Sequence, residues 1–308
     1  MNTLNELIKE YLLYCENQKQ LDKKTLKAYK TDLKQFYEAS ETKFSIITSH
    51  SMIESYISCL HKKFKPRTVK RKIASIKAFY HYLEYREIID LNPFNKIQIK
   101  FREPTLLPKT IPLHTIEKFI KTLYRQKETT STTYQKKCCC RDIAVIELLF
   151  ATGMRISELC NLKLSDIDFT DRTILIFGKG SKERIIQIGN DDVMNAITNY
   201  YNIFQSEINA CQFFFVNRYT NRLSEQSVRN MINKYCNIAH IPQHITPHMW
   251  RHSFATFLLE ADVDIRYIQE MLGHSSISVT QIYTHVAMSK QKDILTTKHP
   301  RKNLHVRE

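Results

Sequence analysis

Near the end of the chain the segment "HSSISVTQIYTHV" carries Tyr283, one of sixteen tyrosines. A tyrosyl oxygen is a poor nucleophile at its free pKa of about 10. It becomes effective where clustered positive charge favours the phenolate and holds an electrophilic phosphate in line. The sequence holds the residues for such a cluster in four separate blocks. "ATGMRISEL" places Arg155 just after a helix end at Gly153, with Glu158 three residues on and able to orient the guanidinium. Arginine grips phosphate bidentately and never deprotonates. "GKGSKER" sets Lys179 between Gly178 and Gly180. A lysine on such a turn can swing inward and donate the proton that a leaving alkoxide in phosphodiester cleavage needs. In "TPHMWRHSF", Thr246 suits the N-cap and Pro247 the first helical position, which puts His248 and Arg251 on one face of the first turn. The N–H groups and dipole of a helix start favour an anion there. Finally, "LGHSSISVTQIYTHV" supplies His274 after Gly273, with Tyr283 nine residues later on a helix that Ser275 or Ser276 can cap.

The glycines point the same way. Four of the five, Gly153, Gly178, Gly180 and Gly273, adjoin a residue able to bind or protonate a phosphate. Their use as helix C-caps and a hairpin turn explains the glycines but not the polar neighbour beside each. His244, His248 and His252 recur every four residues, yet Pro247 interrupts the register and no Cys or carboxylate is spaced to complete a zinc site.

These residues must be positioned by elements that the hydrophobic pattern defines. Leu4, Ile8, Tyr11, Leu12 and Cys15 fall at helical spacing, and three more helical segments follow before Pro93, with Asp22 as a cap for the second. "IKFREPTLLPKTIP" then reads as a stiff linker. The chain beyond it is mixed: a buried helix ending near Gly153, two β-branched strands around the Gly178–Gly180 turn, and further helices to the basic tail. "RQKETTSTTYQKKCCC" reads as a flexible polar surface loop. The expected domains are therefore 1–103, a linker at 104–112, 113–288, and a tail at 289–308.

The chain has 308 residues and a formal net charge of +15, shared by both halves: 20 basic and 12 acidic residues in 1–103, 26 and 19 in 104–308. That balance fits a grip on a polyanion from two domains. Lys182 and Arg184 beside the hairpin, and Lys27, Lys30, Lys65, Arg67, Lys70 and Arg71 in the first domain, read as DNA-backbone contacts. The eight cysteines show no paired spacing and read as reduced thiols, with no role apparent for Cys138–Cys140. The polar, acidic N-terminus and the absence of a long apolar run predict a cytoplasmic protein.

Arg155, Lys179, His248, Arg251, His274 and Tyr283, in this order and spacing, resemble the tyrosine recombinase (phage integrase) family, most closely the bacterial Xer-type site-specific recombinases. "LDKKTLKAYKTDLKQF" is similar to that family's core-binding domain, so the resemblance spans nearly the whole chain. It implies a mainly α fold with a small β-sheet, in which a helical SAM-like core-binding domain and a mixed α/β catalytic domain form a C-shaped clamp around DNA. It implies that Tyr283 attacks a phosphodiester to give a 3′-phosphotyrosyl link, with Arg155 and Arg251 clamping the phosphate. Lys179 would protonate the 5′-hydroxyl, His248 would take the tyrosyl proton, and His274 would bond a phosphate oxygen. It implies no metal, cofactor or ATP. The partners would be a short inverted-repeat DNA site and a homo- or hetero-tetramer on two duplexes, working through a Holliday junction, with Ile294 and Leu295 docking into a neighbour. The chain starts at the core-binding domain and so is expected to lack an arm-site domain, which suits Xer-like dimer resolution or mobile-element integration. Two other readings stand beside this one. A type IB topoisomerase uses the same nucleophile on one duplex. A non-catalytic DNA-binding protein would share only the charge.

Overall fold

The computed structural model describes residues 3–39, 49–97, 109–178 and 183–273. The chain divides into two compact units, Met1–Thr105 and Leu106–Glu308.

The first unit is helical: α1 (Leu4–Asn17), α2 (Lys23–Ala39), α3 (His50–Lys63) and α4 (Pro66–Tyr85), followed by a 3₁₀ turn at Pro93–Lys96. Its helix starts follow local chemistry. Thr3 and Glu6 bond reciprocally across the first turn of α1. Asp22 accepts the N–H groups of Lys24 and Thr25 at 2.8 and 3.1 Å and so starts α2. Pro66 opens α4, where a missing N–H costs nothing. Apolar stripes on these helices close over Tyr11, Phe36, Phe79, Tyr80 and Leu83, all fully buried.

A polar cluster crosses that core. Asp32 on α2 is fully buried and accepts from Ser75 at 2.8 Å, from Lys72 at 3.1 Å, and from Arg71. Lys72, itself buried, also reaches Gln35. Arg71 therefore holds an internal counter-charge as well as lying at the surface. Removing one partner of a buried ion pair leaves the other charge uncompensated. Asp32→Ala is accordingly expected to destabilise the chain by about 3–5 kcal/mol in denaturant unfolding. A loss below about 1 kcal/mol, as for an exposed pair, would contradict this account.

The second unit contains α5 (Leu113–Thr129), α6 (Thr133–Thr152), α7 (Ile156–Asn161), a 3₁₀ turn at Leu164–Asp166, strands β1 (Ile167–Asp168), β2 (Thr173–Phe177) and β3 (Glu183–Gln187), then α8 (Asp191–Cys211), α9 (Glu225–Ile238), α10 (Pro247–Glu260) and α11 (Ile265–Leu272). The strands form one antiparallel sheet in the order β1-β2-β3, with Ile174 opposite Ile186 and Phe177 opposite Glu183. The protein is thus mainly α with a small β-sheet. Trp250 on α10 is fully buried and meets Phe119 of α5 and Phe150 of α6 edge-on, at centroid distances of 5.3 and 5.9 Å. α11 packs on α10 through Ile268, Leu272 and Ala255. Among the described residues no helix is long and apolar enough to cross a membrane.

Two expectations are corrected. The stretch 125–140 is not a loop: α5 runs through Thr129, and Thr132 caps α6 by accepting the N–H of Gln135 at 3.3 Å. Cys139 and Cys140 lie buried on α6, while Cys138 is only partly buried. The end of the expected linker also belongs to the second unit. Ile111 is fully buried there, and its N–H donates to Ser253 Oγ at 2.7 Å. Proline content alone could not show that the extended segment docks.

Candidate active site

The site is assembled where four helix ends meet one strand. α6 stops at Gly153, which takes φ +57° and donates its N–H to Leu149 O at 3.1 Å. A Cβ there would sit 2.4 Å from Phe254 Cδ1, so both the left-handed backbone and the close approach of α10 require glycine. The chain then turns at once into α7, with Arg155 as the N-cap residue.

Glu158 holds that residue in two ways. Its Oε2 accepts the Arg155 N–H at 2.9 Å, and its Oε1 accepts Arg155 Nη1 at 2.7 Å. The same carboxylate receives a forked guanidinium from Arg184, at 2.7 and 3.3 Å. Burial alone would raise the Glu158 pKa. The hydrogen bonds from Arg184 and from the Arg155 backbone outweigh it and hold the carboxyl below its usual range.

Arg251, on α10, is only 4% exposed. Its Nη1 donates to Gly153 O at 2.8 Å and its Nη2 to Leu272 O at 2.6 Å. It therefore caps the carboxyl ends of α6 and α11 together, where unpaired carbonyls and two helix dipoles favour a cation. Thr246 occupies the N-cap of α10, as its type suggests, but its side chain makes no capping bond; Pro247 follows at the first helical position.

His248 stands at the surface in the first turn of α10 and borders a cleft of about 270 Å³, with Arg229, Asn233, His244 and Ile156. Partial burial of its ring, then the charges of Arg251, Arg229 and Arg155, lower its pKa below the ordinary histidine value. That shift favours the neutral imidazole, the form able to accept a proton. One turn on, His252 is lowered further, to about 4, by burial and then by His248 and Arg251. The sign of the linkage follows. Unfolded histidine binds a proton below about pH 6.5 while folded His252 does not. Folding is therefore unpenalised above pH 6.5 and loses stability as pH falls from there towards 4. Replacing His252 with Gln is expected to flatten the acid-side loss between pH 6.5 and 4 by up to about 3 kcal/mol. Urea titrations across that range check it, and an unchanged slope would contradict it.

The structure thus brings Arg155, Glu158, His248 and Arg251 together. Lys179, Lys182, His274 and Tyr283 lie outside the described residues; the elements flanking them end at Phe177, Glu183 and Leu272. Lys27, Lys30, Lys65, Arg67 and Lys70 are exposed on the first unit. Arg184 is corrected: it is not offered to a DNA backbone. Its side chain is 7% exposed, turned inward onto Glu158, with Nε donating to Met271 O at 2.8 Å. Strand alternation contains the signal, since Ile185 is 69% exposed while Arg184 shares the face of buried Ile186. His252 entered the sequence reading only through the rejected zinc spacing, and Arg229 was not singled out; only the fold shows that Arg229 borders the cleft beside His248.

Comparison with known proteins agrees with this geometry. The family described as "Phage integrase family" matches residues 115–290, and "Phage integrase, N-terminal SAM-like domain" matches 8–87. A tyrosine recombinase of Agathobacter rectalis is 62% identical over 306 residues, covering 99% of this chain and 100% of the relative. Tyrosine recombinase XerD of Listeria innocua is 34% identical, covering 97% and 100%. Tyrosine recombinase XerC of Pediococcus pentosaceus is 33% identical, covering 96% and 98%. Among solved structures, the XerH site-specific recombinase bound to palindromic difH substrate shares the fold with a TM-score of 0.75 at 20% identity, over 96% of this chain and 84% of that one. The chain belongs to the phage integrase family and is an Xer-like site-specific tyrosine recombinase, an enzyme that cleaves and rejoins DNA. The type IB topoisomerase reading is not favoured, because these relatives are recombinases.

Proposed function

We propose that Tyr283 is the nucleophile of this recombinase and that Arg155, Lys179, His248, Arg251 and His274 complete its active site. The tyrosyl oxygen attacks the scissile phosphorus, the bond to the 5′-oxygen breaks, and a 3′-phosphotyrosyl link forms. Arg155 and Arg251 stabilise charge on the non-bridging oxygens, and His274 hydrogen-bonds one of them. His248 takes the tyrosyl proton and Lys179 delivers one to the departing 5′-oxygen. One phosphate ester replaces another, so attack by a 5′-hydroxyl reverses the link without ATP.

In this reading 113–288 is the body of the catalytic domain, 1–103 the core-binding domain and 104–112 the connection, whose end packs on the catalytic domain through Ile111, and both domains bind a short inverted-repeat DNA site in the cytoplasm. Four subunits act on two duplexes through a Holliday junction, and Ile294 and Leu295 of the tail at 289–308 dock into a neighbour. The XerH complex with a palindromic substrate and the lambda integrase dimer on a core site support a paired DNA site. The exposed Lys27, Lys30, Lys65, Arg67 and Lys70 suit backbone contacts, and Lys182 is proposed with them.

The observation that carries the catalytic reading is the place of His248, on a cleft it shares with Arg229 and Ile156, with Arg251 and Arg155 near enough to act on its ring. A phosphate placed there meets positive charge on one side and a proton acceptor on the other. The test is a suicide duplex, selected from a randomised inverted-repeat pool and nicked beside the cleavage position. It should trap the protein covalently, with the adduct mapped by peptide mass to Tyr283; an adduct elsewhere overturns the assignment. On the same duplex Lys179→Ala should bind normally but cleave about 10²–10⁴-fold more slowly. A 5′-thiol leaving group needs no protonation and should restore most of that rate. Failure of the rescue would remove Lys179 from the proton-donor role.

A further inference from the structure

We propose that Arg184 is a positioning residue that sets Arg155 on the scissile phosphate, an inference that rests on the recombinase site described above. Its side chain is 7% exposed and that of Glu158 is 5% exposed, so the pair is shielded from solvent. One guanidinium reaches two segments distant in sequence. Its Nη atoms fork onto both oxygens of Glu158 on α7, and its Nε donates to Met271 O at the end of α11. Arg184 itself lies on β3, opposite Ile176.

The neighbouring contacts complete the frame. A Cβ on Gly273 would lie 3.1 Å from Arg184 Nη1, so the backbone leaving α11 runs directly against this side chain. The next carbonyl, Leu272 O, is held by Arg251. Two arginines thus grip consecutive carbonyls at the helix end that precedes His274 in the sequence, and one of them also anchors Glu158.

The consequence lies in Arg155. Glu158 must keep its buried charge paired, and Arg184 supplies the shielded half of that pairing. Arg155, whose side chain is 33% exposed, then gives Glu158 only its Nη1 and its backbone N–H. Its remaining donors stay available to a phosphate. Without Arg184, Glu158 would have Arg155 as its sole guanidinium and would draw it inward, off the phosphate. A lysine at 184 carries the charge but not the fork, so it cannot hold both Glu158 oxygens and Met271 O.

The experiment compares wild type, Arg184→Gln and Arg184→Lys in single-turnover cleavage of the suicide duplex, with denaturant unfolding alongside. Arg184→Gln is expected to cleave on the order of 10²-fold more slowly, since a misplaced catalytic group carries a penalty of that size. Arg184→Lys should fall between it and wild type and keeps the test open if the Gln variant fails to fold. The deciding substrate carries a methylphosphonate at the scissile position, which lacks one charged non-bridging oxygen and depends less on Arg155. There the gap between wild type and variant should shrink at least tenfold. An equal loss on both substrates would mean a general structural defect and overturn the proposal, as would unaltered phosphodiester cleavage. A fall of about one in the salt-dependence slope of DNA binding would instead mark Arg184 as a backbone contact and also overturn it. If wild type itself forms no adduct, the reading of the site fails first. If wild type cleaves and the methylphosphonate makes no difference, only the role of Arg184 fails.

Discussion

Tyr283→Phe is expected to abolish covalent attachment to DNA while leaving DNA binding and unfolding stability essentially unchanged. The substitution keeps the ring and removes only the oxygen, so it separates chemistry from packing. Four buried tyrosines are poorly suited to replace it. Burial pushes the phenols of Tyr11, Tyr80, Tyr200 and Tyr235 well above the ordinary range. Tyr200 is also committed to structure, donating to Phe214 O at 2.9 Å and accepting from Val216 N–H at 3.0 Å. A phenolate at any of these positions would be an isolated buried charge, far costlier than one in a cation-lined site. Denaturing gels after incubation with the nicked duplex give the answer. A persistent adduct in the Phe variant would show that another side chain attacks.

The second large effect is predicted at Arg251. Arg251→Ala should lower cleavage by about 10²–10³-fold, the usual cost of removing one preorganised donor to a developing charge. It should also destabilise the chain, because Gly153 O and Leu272 O both lose their partner in a buried site. Each unsatisfied buried carbonyl costs about 1–3 kcal/mol. Arg155 provides the contrast. Its side chain is 33% exposed and bonded mainly to Glu158, so Arg155→Ala should impair cleavage comparably with a smaller stability loss. Single-turnover cleavage paired with urea unfolding separates the two arginines. Equal stability losses would contradict the difference in burial on which the prediction stands.

Much of the architecture was legible because it rests on local rules. The glycine stop of α6 at Gly153, the capping aspartate before α2 and the hairpin strands around Gly178 all follow from side-chain type and period. The clustering of Arg155, His248 and Arg251 was legible only as an expectation of chemistry, since their segments are distant in the chain. What escaped reading depended on tertiary contact. Asp32 looks like one more polar residue on an amphipathic helix until α4 supplies Lys72 and Ser75 against it. The polar run at 125–140 resembles a loop until the faces of α5 and α6 bury Leu123 and Cys140. Arg184 was misread because a basic residue near a basic turn suggests an outward grip, although strand alternation turns it inward.

The buried carboxylates have a consequence for how this molecule finds DNA. The 46 lysines and arginines overstate the number of cations a duplex meets unpaired. Arg71 and Lys72 share the single carboxylate of Asp32, and Arg155 and Arg184 share Glu158. The folded protein thus keeps two populations of cations. One is locked into the scaffold and releases few counterions on association. The other, Lys27, Lys30, Lys65 and Arg67, is exposed to solvent and can exchange ionic atmosphere with the phosphates. Long-range attraction and sliding should follow the second population, and the architecture of the cut the first. Ionic strength then becomes a means of tuning the search for a site without retuning the chemistry performed there.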